Sequence, residues 1–282
     1  KHLIATQRIT NLLTAQGYLQ IITNPITKPQ HTQADSTTKK ALHLANPLNN
    51  QLSTLRQTLL HSGLQVISHN LNHGLSNLKL FELGKTYDRE QETQKLALWL
   101  VGNKEEPNWI TKPTPLTLQD LYATIHLLLQ HHGIQDWHTL PLKNNLYQNA
   151  LTLYTQQQPL LHMGLPHPDL LKQMNINTQV LFAQIDLKTL LKYRNEQQYY
   201  KPISKYPTIK RDISIAVNPT ITFEHIRHLI QQQKLPQLQT LSLIDFYQGN
   251  TLQADQASYT LRLILQDTKK TLKDKHANKI VE

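Results

Sequence analysis

Arg211-Asp212-Ile213-Ser214-Ile215-Ala216-Val217 opens the stretch that decides the fold. Ile213, Ile215 and Val217 share one face and Asp212, Ser214 and Ala216 the other, the period of two that marks a half-buried strand. Two later runs alternate in the same way. In Leu241–Tyr247, Ser242, Ile244 and Phe246 alternate with Leu243, Asp245 and Tyr247. In Ser258–Leu265, Tyr259, Leu261, Leu263 and Leu265 alternate with Ser258, Thr260, Arg262 and Ile264. The strands read as Asp212–Val217, Leu238–Tyr247 and Ser258–Gln266, with helical patterns over Phe223–Lys234 and Lys273–Val281. The order βαββα is that of a ferredoxin-like βαββαβ fold without its last strand, which is expected beyond Glu282. Gln231-Gln232-Gln233 falls inside the first helical pattern and reads as solvated surface.

A sheet of this kind is covered by helices on one face and open on the other. The open face is expected to carry Asp212, Ser214, Asp245, Tyr247, Ser258, Thr260 and Arg262. Those residue types suit RNA. A tyrosine ring can stack an unpaired base. An aspartate accepts hydrogen bonds from the Watson–Crick donors of guanine, and serines offer hydroxyls while letting a base approach. Arg262, with Lys205, Lys210 and Arg211 at the rim, can meet phosphates. An ordinary solvated face, or one docked on the rest of the chain, fits the same alternation.

Upstream, helices are expected over Leu3–Leu13, Leu52–His69, Leu118–His132 and Leu187–Tyr193. Strands are expected over Tyr18–Thr23, Ala41–Leu44, Leu78–Tyr87, Lys95–Val101 and Val180–Asp186, with two more near Asn149–Tyr154 and Leu160–Met163. Thr27–Lys40 reads as loop, and Pro166 and Pro168 as the brackets of another. The mixture points to an α+β fold with an antiparallel sheet and flanking helices. Arg194–Lys201 is polar and reads as the linker, giving domains at 1–195 and 203–282.

Composition removes other functions. At 282 residues two domains are the default. There is no cysteine, hence no disulfide, thiolate zinc site or cysteine nucleophile. Eight glycines form neither G-x-G-x-x-G nor G-x-x-x-x-G-K-[ST]. No metal site is expected. His131-His132 point apart on a helix, and His162 and His167 belong to no zinc motif. Glu105-Glu106 precede Pro107 in what reads as a solvated loop. No apolar stretch approaches a membrane span, and Lys1-His2-Leu3-Ile4 lacks a signal-peptide core. A cytoplasmic piece of a longer protein, with no membrane partner, is therefore expected. The balance of 29 basic against 19 acidic side chains, a net charge of +10, favours a polyanionic partner.

The decisive stretch is part of a longer match. Ile203-Ser204-Lys205-Tyr206-Pro207-Thr208-Ile209-Lys210-Arg211-Asp212-Ile213-Ser214 resembles the opening of the anticodon-binding domain of the bacterial phenylalanyl-tRNA synthetase β-subunit family. Leu243-Ile244-Asp245-Phe246-Tyr247-Gln248-Gly249, Ala257-Ser258-Tyr259 with Arg262, and Thr271-Leu272-Lys273-Asp274 are similar to its later motifs. Earlier, Asn46-Pro47-Leu48 with Leu55-Arg56-Gln57-Thr58-Leu59-Leu60, then Leu80-Phe81-Glu82-Leu83-Gly84-Lys85, and His162-Met163-Gly164-Leu165-Pro166-His167-Pro168 resemble its core domain. Leu165-Pro166 stand where the family has Glu-Leu.

The resemblance implies a non-catalytic class II synthetase-like antiparallel sheet with flanking helices, followed by a ferredoxin-fold anticodon-binding domain. It implies an aminoacyl-tRNA synthetase, a phenylalanine–tRNA ligase, whose (αβ)₂ tetramer uses ATP and Mg²⁺ bound by the catalytic α subunit. This chain would hold no cofactor and no catalytic residue. It would scaffold the α subunit, with the apolar helix Leu52–His69 at the interface, and Arg56 would be structural or interfacial. Asp245 and Tyr247 would grip the first anticodon base, a guanine, with Ser214 and Ser258 lining the same pocket. The family has alanine at the place of Ser214. A non-synthetase RNA-binding paralogue and a pure interaction scaffold are the alternatives to this role.

Overall fold

Lys95-Leu96-Ala97-Leu98-Trp99-Leu100-Val101 is apolar at every position after the lysine, the pattern of a strand buried on both faces. The computed structural model, which describes residues 2–33, 41–47, 49, 52–106, 108–195, 202–233, 235–248, 256–268 and 270–281, places this strand in a seven-stranded sheet. Its elements are α1 (His2–Ala15), β1 (Leu19–Gln20), β2 (Ile26–Thr27), α2 (Gln30–Gln33), β3 (Thr54–Leu55), α3 (Leu60–Asn72), β4 (Leu78–Tyr87), β5 (Glu92–Val101), α4 (Leu118–His131), β6 (His138–Pro141), β7 (Tyr147–Thr155), β8 (Gln158–Pro166), α5 (Pro168–Gln173), β9 (Val180–Asp186) and α6 (Leu187–Lys192). The strand order is β1-β4-β5-β9-β8-β7-β6, antiparallel except that the two-residue edge strand β1 runs parallel to β4.

Each face of β5 feeds its own core. Leu96, Leu98 and Leu100 pack with Ile9 and Leu13 of α1 and Leu121, Ile125 and Leu128 of α4. Ala97, Trp99 and Val101 pack with Leu60, Leu64 and Ile67 of α3. Gly63 is what lets α3 lie so close: a Cβ there would overlap the Trp99 indole. Asp120 fixes the start of α4 by accepting the Thr117 amide at 2.8 Å, and Gly133, at φ +68°, ends it.

Several expectations change. The helix expected from Leu52 begins only at Leu60, because Thr54 and Leu55 pair with β2 and Arg56 is drawn into a buried ion pair. Its apolar stripe, Leu60, Leu64 and Ile67, packs on its own sheet. Ala41–Leu44 forms only an isolated bridge, His43 with Thr54. Pro168, expected in a loop, is the first residue of α5, where a missing N–H costs nothing. The stretch 30–33 of the expected loop is helical, while 34–40 lies outside the described residues, as do 196–201 of the expected linker.

The chain divides into two compact units, Lys1–Gln198 and Tyr199–Glu282. The second holds β10 (Ile209–Val217), α7 (Phe223–Gln232), β11 (Leu238–Tyr247), β12 (Ala257–Leu265) and α8 (Asp274–Val281), with antiparallel strand order β10-β12-β11. Every odd residue of β12 from Ala257 to Leu265 is buried. Tyr259, Leu261, Leu263 and Leu265 meet Ile226 of α7, Ala277 of α8 and Leu272 in one core. The Tyr259 hydroxyl donates to the Ile221 carbonyl at 3.0 Å, pinning the entry to α7. Gln266 donates to the Tyr206 carbonyl at 2.7 Å and ties down the segment leading into β10.

Candidate nucleic-acid interface

Strand register sets the open face of the smaller unit in rows of three. The first row is Ala216, Ser258 and Tyr247; the second Ser214, Thr260 and Asp245; the third Asp212, Arg262 and Ser242; the fourth Lys210, Ile264 and Thr240. Asp212, Ser214, Asp245, Tyr247, Ser258, Thr260 and Arg262 therefore share one face. Tyr247 stands at an outer corner, 43% exposed, with Ser258 across from it and Asp245 one row along. The Ser214 and Thr260 hydroxyls lie 2.9 Å apart in the second row, which keeps its centre small and polar.

The third row holds a planar ion pair. Arg262 donates through Nε to Asp212 Oδ1 at 2.8 Å and through Nη2 to Oδ2 at 2.7 Å. Both side chains are about two-fifths exposed. Those hydrogen bonds hold the Asp212 carboxyl below the usual carboxylate range, with Arg262 and Lys210 adding attraction, and they raise the guanidinium in turn. Arg262, expected from sequence to meet phosphates, is thus a paired cation.

Two further expectations bear on this face. Arg211 is expected at its rim. It shares the parity of Ile213 and lies on the helix side, where it binds Asp274 and donates to Asn278 Oδ1 at 3.0 Å, both on α8. Strict alternation along β11 also fails. A register shift between Leu243 and Asp245 puts Leu243 with the covered residues and Ser242 with the open ones. Beyond the shift Phe246 turns to the covered side, its ring 5.1 Å from that of Tyr259. The signal was present as the apolar doublet Leu243-Ile244, which breaks a period of two. Lys205 and Lys210 are both exposed, Lys205 in the bend before β10 and Lys210 in the fourth row.

The larger unit has a cleft of about 390 Å³ over its sheet, lined by Thr58, Thr86, Lys95, Tyr147, His162 and Gln184. This face is the place to test for a nucleotide, and its residues do not fit a triphosphate. Lys95 is bound to Asp186 at 2.6 Å. Gln184 Oε1 is occupied by the Leu59 amide and the Thr58 hydroxyl, at 2.9 and 3.1 Å. Buried Arg56 is consumed next door by Glu82 (3.0 Å), the Lys85 carbonyl (2.9 Å) and Thr23 (2.6 Å). Among the described residues no group of three or more histidine or carboxylate side chains could hold a metal ion.

The larger unit shares the fold of aminoacyl-tRNA synthetases. Two solved structures of pyrrolysyl-tRNA synthetase from Desulfitobacterium hafniense superpose with TM-scores of 0.51 and 0.52 over 67% of this chain and 67–68% of theirs, at 16–17% identity. The family is narrower: residues 1–187 match the model of the phenylalanyl-tRNA synthetase beta chain CLM domain, and 204–282 that of the ferredoxin-fold anticodon binding domain. The chain belongs to the phenylalanyl-tRNA synthetase beta chain family. Among its relatives are the phenylalanine–tRNA ligase beta subunits of Bacteroides fragilis (29% identical, 98% of this chain, 36% of that one) and Clostridium acetobutylicum (27%, 96% and 35%). The chain spans about a third of the length of the curated relatives it matches.

Proposed function

We propose that the open face of the β10–β12–β11 sheet holds the anticodon of a phenylalanine tRNA, and that Tyr247 stacks the first anticodon base while Asp245 accepts its Watson–Crick donors. One observation carries this reading: Tyr247, Ser258 and Asp245 meet at one exposed corner of a sheet whose other face carries the unit's core. Ser214 and Ser258 supply hydroxyls beside them. Lys205 and Lys210 meet the phosphates, in keeping with the net charge of +10. The larger unit, residues 1–195, is a non-catalytic core that scaffolds a catalytic α subunit in an (αβ)₂ phenylalanine–tRNA ligase of the cytoplasm. The ATP and Mg²⁺ of that reaction are assigned to the α subunit, in keeping with Arg56 and Lys95 of this chain's sheet being paired with its own carboxylates.

The test is a titration of the chain with an anticodon stem-loop carrying GAA and with one whose first base is changed, at one low salt concentration. Preference for GAA by more than about fivefold, the value of one lost base contact, supports the reading. Equal affinity for the two loops overturns it. The chain alone should also give no ATP–pyrophosphate exchange, and exchange without an α subunit overturns the assignment of a non-catalytic core.

A further inference from the structure

The Asp212–Arg262 pair is the feature of the open face that base reading at Tyr247 leaves unused. It lies two rows from Tyr247 and Ser258. Four residues of β12 separate the rows, about 13 Å at the rise of a strand, the reach of two steps of an unstacked single strand. The row between carries Ser214, Thr260 and Asp245, short side chains without a ring or a long cation.

Chemistry then decides what the pair can receive. A phosphate approaching Arg262 meets the Asp212 carboxylate beside it and is repelled. Nε and one Nη2 hydrogen are already taken. Yet bidentate pairing locks the guanidinium plane, and a flat, weakly hydrated cation of fixed orientation is what a base stacks on. Building on the reading above, we propose that Arg262, held flat by Asp212, is a second base-stacking plate that receives the third anticodon base. Asp212 is the positioning residue that holds the plate. The open face is then a strip for three consecutive nucleotides, with Tyr247 and Arg262 at its ends.

The experiment pairs protein and RNA changes. The chain and its Arg262→Lys, Asp212→Asn and Tyr247→Ala variants are titrated with the GAA stem-loop and with the same loop made abasic at the third anticodon position. Arg262→Lys keeps the charge and loses the plane. It should weaken GAA binding about tenfold, the value of a lost stack, leave the salt dependence unchanged, and add nothing on the abasic loop. Asp212→Asn should weaken GAA binding less and also fall silent on the abasic loop. If Arg262→Lys binds GAA as tightly as the unaltered chain, or loses the same factor on both loops, the plate is overturned. Circular dichroism of each variant confirms that the exposed pair was altered in a folded chain. Tyr247→Ala reads the first base and reports separately on anticodon binding itself. A chain that prefers GAA at the first base through Tyr247, yet ignores the third, rejects the plate and keeps the proposed function. A chain indifferent to every change rejects both.

Discussion

The two units treat the same problem, a polar group on a β-sheet, in opposite ways. In the larger unit both faces of the central strand β5 are covered, and Arg56 and Lys95 are paired within the fold. Arg56 and Glu82, 6% and 3% exposed, close on each other and on Thr23. In the smaller unit one face is covered and the other keeps Asp245, Tyr247 and a half-exposed Arg262–Asp212 pair at the surface. A buried ion pair orders a core and has no capacity left for a ligand, whereas an exposed pair remains able to meet one.

The sharpest break in this comparison is energetic. Arg56→Ala leaves Glu82 buried without its partner and should cost about 3–5 kcal/mol of the larger unit's stability. Arg262→Ala removes one side of an exposed pair and should leave the smaller unit's unfolding nearly unchanged. Urea melts followed by a probe in each unit would measure both. A similar loss in both units would erase the distinction. Next comes packing: Gly63→Ala pushes a methyl group into the Trp99 ring and should cost about 1–3 kcal/mol, seen as a lower midpoint in the larger unit alone.

Acid should also separate the units. His61 of α3 is buried and stacks on His31, ring centres 4.5 Å apart, and burial pushes it down to about 3. Burial and Lys28 lower His31 as well. The folded state therefore refuses protons that the unfolded state accepts below about 6.5. Stability from His61 is complete above that value and is lost as pH falls from 6.5 toward 3. By pH 5 the loss is about 2 kcal/mol, from 1.36 kcal/mol per unit. His61→Gln should flatten this slope, and an unchanged slope would place the acid sensitivity elsewhere.

Much of the fold was legible because its strands are either nearly continuous apolar runs or largely alternating. Leu78–Tyr87, Val180–Asp186 and Leu238–Tyr247 are strands over just those residues. What escaped was set by tertiary partners. His138–Pro141 has little apolar pattern and is a strand only because β7 pairs with it. Residues 54–59 have a helical pattern, overridden by pairing with β2 and by the Arg56–Glu82 contact. At the candidate site, the shared face of Asp212, Ser214, Asp245, Tyr247, Ser258, Thr260 and Arg262 was readable from parity. Parity also puts Arg211, one residue before Asp212, on the opposite face, but its contacts with Asp274 and Asn278 of α8 were not readable from it. The pairing of Arg262 needed the register of β10 against β12, which no single strand reveals.

The central claim is that Tyr247 reads a base, and a double-mutant cycle tests it most directly. Unaltered chain and Tyr247→Ala are each titrated with stem-loops bearing GAA and bearing a changed first base. The account predicts that Tyr247→Ala weakens GAA binding about tenfold, by loss of one stack, and that the first-base preference disappears with the ring, because the stack is what holds the base against Asp245. Equal losses on both loops, with the preference intact, would contradict it.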